Sequence, residues 1–147
     1  MRIYLDNCCY NRPYDDQTQI RISLETQAKL DIQQRIKNGE LELVASYVLR
    51  YENSRNPYEL RRKSIDDFVR ENVSVYVDTD QADAVRQFAD VIMSSGVKTA
   101  DAYHVACAIV GESDCFLTTD DRLLKCQTER MIITDPINFI RDREAGV

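Results

Sequence analysis

The chain has 147 residues, 44% of them hydrophobic and 30% charged, with only four Gly and three Pro; this make-up supports one globular domain, residues 1–147, and excludes long disorder and low complexity. No apolar run approaches the ~20 residues of a membrane span, so no membrane partner is expected. The formal charge of −6 argues against a large non-specific nucleic-acid binder, because phosphate contacts need Lys and Arg.

Taken in chain order, Arg2 to Leu5 sets apolar Ile3 and Leu5 around Tyr4 and predicts a first strand ending at Asp6. A start directly in a strand leaves no room for a signal peptide. Residues 6–15, DNCCYNRPYD, are polar and turn-rich and read as a loop. Asp16 with Gln19 three residues on comes close to a capping box. Behind it Ile20, Leu24, Ala28, Ile32 and Ile36 recur every four residues, the expected buried face of a long helix closed by Asn38-Gly39.

Leu41, Leu43, Val44 and Ala45 predict a second strand, followed by a helical turn through residues 47–52 that carries Glu52. Asn56-Pro57-Tyr58-Glu59 reads as a helix start, with cap, proline at N1 and Glu at N3. That helix runs to about Glu71 with Leu60, Ile65, Phe68 and Val69 inward. Residues 73–77, VSVYV, form a third strand. Residues 80–95 form a helix with Ala84, Val85, Phe88, Val91 and Ile92 inward, closed by Gly96. Thr99 suits an N-cap, which puts Asp101 in the first turn of a helix whose stripe is Ala102, Val105, Ala106, Ile109 and Val110. Gly111-Glu112-Ser113 breaks it. Residues 115–118 form a buried strand ending in Thr119, Asp120 and Asp121. A fifth strand, residues 130–134, precedes a terminal helix opened by Asp135-Pro136.

Five strands alternating with helices predict an α/β fold with a parallel sheet covered on both faces, all strand ends on one edge. Ligands in such sheets bind beyond the carboxyl ends of the strands. Asp6 and Asp120 end two strands, Asp101 opens a helix, and Glu52 follows the second strand, so four acids are expected on one rim. Asp121 is an equally acidic neighbour of Asp120. Clustered carboxylates repel and need cations; hard oxygen ligands suit Mg²⁺ or Mn²⁺, which activate water and neutralise charge on a phosphodiester. There is no Gly-rich phosphate loop, no GxSxG elbow and a single histidine, His104, which reads as packing beside the site.

Each acid also has a plain alternative as a helix cap or a solvated side chain. Arg50, Arg55, Arg61, Arg62 and Lys63 read first as a solvated face and second as a phosphate-tracking patch beside Glu52; Arg12 is a similar candidate. For Tyr4, Tyr10 and Tyr14, packing in the core or at the rim is weighed against base stacking. Cys8, Cys9, Cys107, Cys115 and Cys126 form no CxxC pair, which fits reduced thiols in the cytoplasm rather than zinc held by Cys8, Cys9 and His104.

The segments Asp101-Ala102-Tyr103-His104-Val105-Ala106 and Leu117-Thr118-Thr119-Asp120, with Asp6 after the opening strand and the Glu52 helix, resemble the PIN-domain family of metal-dependent ribonucleases. Among its members the chain is similar to the VapC-like toxins of toxin–antitoxin pairs. The resemblance implies a three-layer α/β/α fold with a central five-stranded parallel sheet, an endoribonuclease acting on RNA, a cognate antitoxin and a homodimer. Asp6, Glu52, Asp101 and Asp120 match the family's acidic metal-binding positions, and Thr118 its hydroxyl residue. Thr119 stands where the family has Asn, and the stretch 6–13 is longer and more polar than the family's opening. Two other classes remain: a PIN-fold binding module with weak catalysis, and a phosphoacceptor receiver domain. The receiver would need an acidic pair at the first strand and a lysine after the fifth, where Asp135-Pro136 stands instead.

Overall fold

A computed structural model describes residues 1–145. Strands β1 (Arg2–Leu5), β2 (Glu42–Ser46), β3 (Val73–Val77), β4 (Cys115–Leu117) and β5 (Ile132–Thr134) form one all-parallel sheet in the order β3-β2-β1-β4-β5. Alternation along each strand sorts the side chains into two cores. Ile3, Leu5, Leu43, Ala45, Cys115 and Leu117 point one way, onto Ile32 and Ile36 of α2 (Ile20–Lys37), Ile65 and Phe68 of α4 (Glu59–Asn72) and Phe139 of α8 (Pro136–Glu144). Tyr4, Val44 and Phe116 point the other way, onto α5 (Ala82–Met93) and α6 (Thr99–Val110). The result is the expected three-layer α/β/α arrangement. Among the described residues no helix is long and apolar enough to cross a membrane.

Two glycines have jobs in this frame. Gly39 takes φ +78° just past α2, a region that favours glycine. Gly111 caps α6 at an ordinary φ of −76°, but a Cβ there would stand 2.6 Å from Val44 Cγ1.

Several expectations need correction. Residues 6–15 are not an open loop: Asp6 caps a short helix, α1 (Asn7–Asn11), and Arg12–Tyr14 continue as a 3-10 turn with Pro13 in its first positions. In α2 the buried face is Glu25, Thr26, Lys29, Ile32 and Ile36, while Ile20 is 78% exposed and Leu24 is also exposed. The physical reason is the period. Every four-residue step overshoots a turn of 3.6 by about 40°, so a strict repeat of four drifts roughly 160° from Ile36 back to Ile20. Leu60 is 86% exposed for a similar reason, five residues and about 140° from Ile65. In α5, Val91 and Ala84 face solvent and Ala89 takes the inner position. Thr99 is the first residue of α6 rather than its cap, and neither Gln19 nor Tyr58, at the caps of α2 and α4, makes a side-chain capping bond.

Candidate functional site

The strand order reverses between β1 and β4, a switch point of the kind where open parallel sheets bind ligands. The chain leaves β1 at Asp6 and β4 at Thr118. Asp6 is buried. Its Oδ1 accepts from the Asn7 amide at 2.8 Å, and its Oδ2 accepts from Thr118 Oγ1 at 2.9 Å and from Cys8 Sγ at 3.4 Å. Thr118 Oγ1 in turn accepts from the Asp120 amide at 3.1 Å. One hydroxyl thereby fixes the ends of both strands relative to each other.

Asp120 opens the four-residue helix α7 (Asp121–Leu124), its Oδ1 accepting from the amides of Arg122 and Leu123 at 2.8 and 3.4 Å. Asp121 is held away by Arg21, whose Nη1 and Nη2 reach its two oxygens at 3.0 and 2.8 Å; the Arg21 hydrogen bond also holds the Asp121 carboxyl below the usual range. Of these two neighbours, Asp120 is the one whose charge reaches the rim.

Glu52 lies in α3 (Tyr47–Ser54), started by Ser46, whose Oγ accepts from the Leu49 amide at 3.1 Å. Asn7 Nδ2 donates to Glu52 Oε1 at 3.0 Å, and Glu52 Oε2 meets His104 Nε2 in a short hydrogen bond. The other ring nitrogen of His104 lies 2.8 Å from the Tyr4 hydroxyl, which lies 2.7 Å from Ser46 Oγ. Burial works against the imidazolium, but the Glu52 hydrogen bond and the charges of Asp6, Glu52 and Asp101 outweigh it and raise the His104 pKa. A protonated His104 donates from both nitrogens, to Glu52 and to Tyr4, and Tyr4 then donates to Ser46. The His104 bond correspondingly lowers Glu52 against its own desolvation. Tyr4 stays a phenol because burial pushes its pKa well up.

Asp101 stands one turn before His104 in α6. Its pKa is raised, first by burial and then by the charges of Asp6 and Asp120, with Glu52 adding and His104 opposing. This places Asp6, Asp120 and Glu52, from separate parts of the chain, within electrostatic reach of Asp101. They do not close into a ligand set: among the described residues no three Asp, Glu, His or Cys side chains are gathered as a group that would hold a metal ion. The donor chemistry nevertheless suits a hard cation, because Asp6, Asp101 and Asp120 supply carboxylate oxygens on a rim whose acids repel one another. Beside Asp101 opens a cleft of about 340 Å³ lined by Lys98, Arg122 and Lys125.

The expected substrate residues divide. Arg12 is taken up by ion pairs to Glu25 at 2.9 Å and Asp15 at 3.1 Å, tying the 3-10 turn to α2. Thr118 is fully buried and holds Asp6, so it positions a carboxylate rather than meeting a substrate. Arg50 and Arg55 are exposed beside Glu52. Tyr4 and Tyr10 are buried and have no face for a base, whereas Tyr14 is exposed. Asn7, Ser46 and Arg21 went unnoticed in the sequence. Asn7 alone had a local signal, its place next to Asp6.

No protein-family model matches the chain, and no curated protein matches it. Among solved structures it is similar to VapBC2 from Rickettsia felis bound to a DNA fragment from their promoter, with a TM-score of 0.55 and 14% identity over 92% of this chain and 98% of that one. It is also similar to FitAcB from Neisseria gonorrhoeae, with a TM-score of 0.53 and 17% identity over 91% of this chain and 97% of that one. At such identities the likeness speaks to fold alone, and the fold is the PIN-like α/β/α architecture with a five-stranded parallel sheet.

Proposed function

We propose that the protein is a metal-dependent endoribonuclease that hydrolyses RNA phosphodiester bonds at this rim and serves as the toxin of a toxin–antitoxin pair. The observation that carries the catalytic half is Asp101, a carboxyl made harder to ionise first by burial and then by the nearby charges of Asp6, Asp120 and Glu52. An arrangement that repels itself calls for a cation. Asp6, Asp101 and Asp120 would hold Mg²⁺ or Mn²⁺, which when bound neutralises phosphodiester charge and lowers the pKa of a water. Glu52, held by His104 and Asn7, lies ready to join them or to orient that water. Thr118 keeps Asp6 and Asp120 in register, and the basic flanks at Arg50 and Arg55 on one side and Lys98, Arg122 and Lys125 on the other suit a polyanion. The toxin half, with its cognate antitoxin, homodimer and cytoplasmic setting, is supported by the PIN-like motifs and by the fold shared with VapBC2 and FitAcB.

The test is cleavage of single-stranded RNA with Mg²⁺ or Mn²⁺. EDTA should abolish it, and Asp101→Asn should lower the rate about a hundredfold or more, since an amide is a poor ligand for a hard cation. Cleavage that survives both treatments rules the mechanism out. The open ligand geometry and the engagement of Glu52 by His104 favour one second reading, a PIN-fold binding module with weak catalysis that acts through protein or RNA contacts. Stabilisation by Mn²⁺ without cleavage of any RNA would select it.

A further inference from the structure

A strip of surface runs outward from the rim and ends in an aromatic–arginine stack. Along it, α1 and the 3-10 turn lie against α3 and the start of α4, joined by three rungs. Asn7 Nδ2 donates to Glu52 Oε1 at 3.0 Å, Asn56 Nδ2 to Asn11 Oδ1 at 3.2 Å, and Arg61 Nη2 to the Tyr14 carbonyl at 3.4 Å. The first rung is part of the carboxylate rim. From Asn7 to Tyr14 the chain rises roughly 10–14 Å at helical spacing, so the last rung sits a few nucleotides' reach away.

At that end the Arg61 guanidinium carbon lies 4.9 Å from the centre of the Tyr14 ring and 4.5 Å from that of Tyr58. Both separations are within the range of a cation–π contact. The rings are large and apolar, yet Tyr14 is 43% and Tyr58 61% exposed. Arg61 Nε is buried without a hydrogen-bond partner. Nearby, Arg55 stands 5.8 Å from the Tyr51 ring centre and donates to the Tyr51 hydroxyl at 3.0 Å. Among the described residues none of Arg50, Arg55, Arg61, Arg62 and Lys63 is paired with a carboxylate. Residues 53–65 hold four cations and a single acid, Glu59, in a chain of net charge −6.

Unpaired cations interleaved with open ring faces have the chemistry of a single-strand platform: guanidinium for phosphate, rings for bases. An apolar partner would leave those charges buried and unanswered. We propose that Tyr14, Arg61 and Tyr58 form a stacking clamp for an unpaired base of the RNA cut at the rim; this rests on the ribonuclease reading. Arg61 lies against both rings, and the outer face of Tyr58 receives the base. Arg55 and Arg62 take the adjoining phosphates.

The clamp is tested by fluorescence anisotropy with a short labelled single-stranded RNA of mixed sequence, in EDTA so that the strand stays whole. Tyr58→Ala and Arg61→Lys should each weaken binding about tenfold, in line with the loss of one base–aromatic stack. Arg61→Lys keeps the charge, so its salt dependence should stay that of wild type. Tyr58→Phe keeps the ring and should bind as wild type. The same strand in a duplex should be indifferent to Tyr58→Ala, because paired bases offer no face. If wild type cleaves RNA and both variants bind the strand as tightly as it does, the clamp is wrong and the nuclease reading stands; if wild type binds the strand but cleaves no RNA, the nuclease reading falls and variants that match it in binding sink the clamp as well. If wild type neither binds single strands nor cleaves any RNA with Mg²⁺ or Mn²⁺, both fall. A Tyr58→Ala protein that changes oligomeric state in sedimentation, with unchanged RNA affinity, reassigns the patch to contact between copies of the chain and overturns the clamp. Equal melting temperatures of Tyr58→Ala and Tyr58→Phe check that the fold is intact.

Discussion

Three of the four rim carboxylates are restrained by a partner of their own: Asp6 by Thr118 and the Asn7 amide, Glu52 by His104, Asp120 by the amides of α7. Thr118 serves two of them at once, which makes Thr118→Val informative. The change keeps shape but removes the donor to Asp6 and the acceptor for the Asp120 amide. It should cost about 1–3 kcal/mol in urea unfolding, the usual penalty for leaving a buried polar group unpaired, and it should slow cleavage by loosening Asp6 against Asp120. A second buried residue carries a pH signature. Lys29, buried against Tyr10 and Phe68, has its pKa lowered by desolvation to about 8. Below pH 8 both folded and unfolded chains carry the proton, and the folded chain bears the full cost of the buried charge. Between pH 8 and about 10.5 the unfolded chain binds more protons, so stability should rise with pH through that window. The shift corresponds to about 3 kcal/mol, more than the ~1 kcal/mol expected of its ring contacts. Lys29→Met should therefore stabilise the protein at pH 7, with an advantage that shrinks by pH 10 in parallel urea melts; a constant advantage would refute the buried-charge account. The positions of Asp6, Asp101 and Asp120 could be read because they stand at strand and helix ends. The chain from His104 through Tyr4 to Ser46 could not, since it joins positions 100 and 42 residues apart and leaves no local pattern.

Strands and most helices could be read from the sequence because short β-branched runs and clear breakers bound them; β1 and β3 have the limits that the pattern RIYL and VSVYV suggests. Which way a helix faces was harder. In α2 the inner positions hold Glu25, satisfied by Arg12 and Arg21, and Lys29, bonded to Gln33, so polar residues occupy sites that an apolar count assigns elsewhere. The turn 7–14 was missed because a helix of five residues shows less than two periods and its apolar residues, Cys9 and Tyr10, are adjacent. Close approach is equally silent in sequence: Gly111 looks like any helix-ending glycine. A Cβ on Gly111 would meet the side chain of Val44, itself fully buried, at 2.6 Å, so the end of α6 packs on β2 with no room for a side chain. Gly111→Ala has no positive φ to strain and would gain up to about 1 kcal/mol from backbone entropy. The clash at Val44 works against it, and overpacking of this kind costs about 1–3 kcal/mol. A net loss of stability is expected, relieved in the double variant with Val44→Ala by a positive coupling in a mutant cycle. Additive effects would show that α6 shifts freely.

The balance of charge across the molecule supplies the test that needs no substrate. An acidic chain brings Asp6, Glu52 and Asp120 within reach of Asp101 near one sheet edge, flanked by Arg50, Arg55, Lys98, Arg122 and Lys125, none of which pairs with a carboxylate among the described residues, so the cation-free protein carries a local repulsion that folding must overcome. It shows at Asp101, whose pKa is raised first by burial and then by these charges. Asp101 makes no capping bond, since α6 is capped by Lys98 without a side-chain contact. Its first-turn position offers about 0.3–1 kcal/mol from the helix dipole, yet its pKa is raised, so burial and the neighbouring charges outweigh that benefit. Asp101→Asn should leave the metal-free protein unchanged or slightly more stable. Asp120→Asn should do much the same, because Asn caps a helix as well as Asp does. An ion that binds only the folded state stabilises it by RT ln(1 + [L]/Kd), about 2.7 kcal/mol at a hundredfold excess over Kd. At the ~2–4 °C per kcal/mol typical of chains near this size, wild type should melt roughly 5–10 °C higher in Mn²⁺ than in EDTA. Both Asn variants should lose most of that rise. Asp121→Asn should keep it, because Asp121 is turned to Arg21, and this comparison separates the two adjacent acids. If the acids are helix caps and nothing more, Mn²⁺ moves none of the four proteins. An Asp101→Asn protein that is destabilised without metal yet keeps the full Mn²⁺ response would place the cation, and the chemistry with it, somewhere other than this rim.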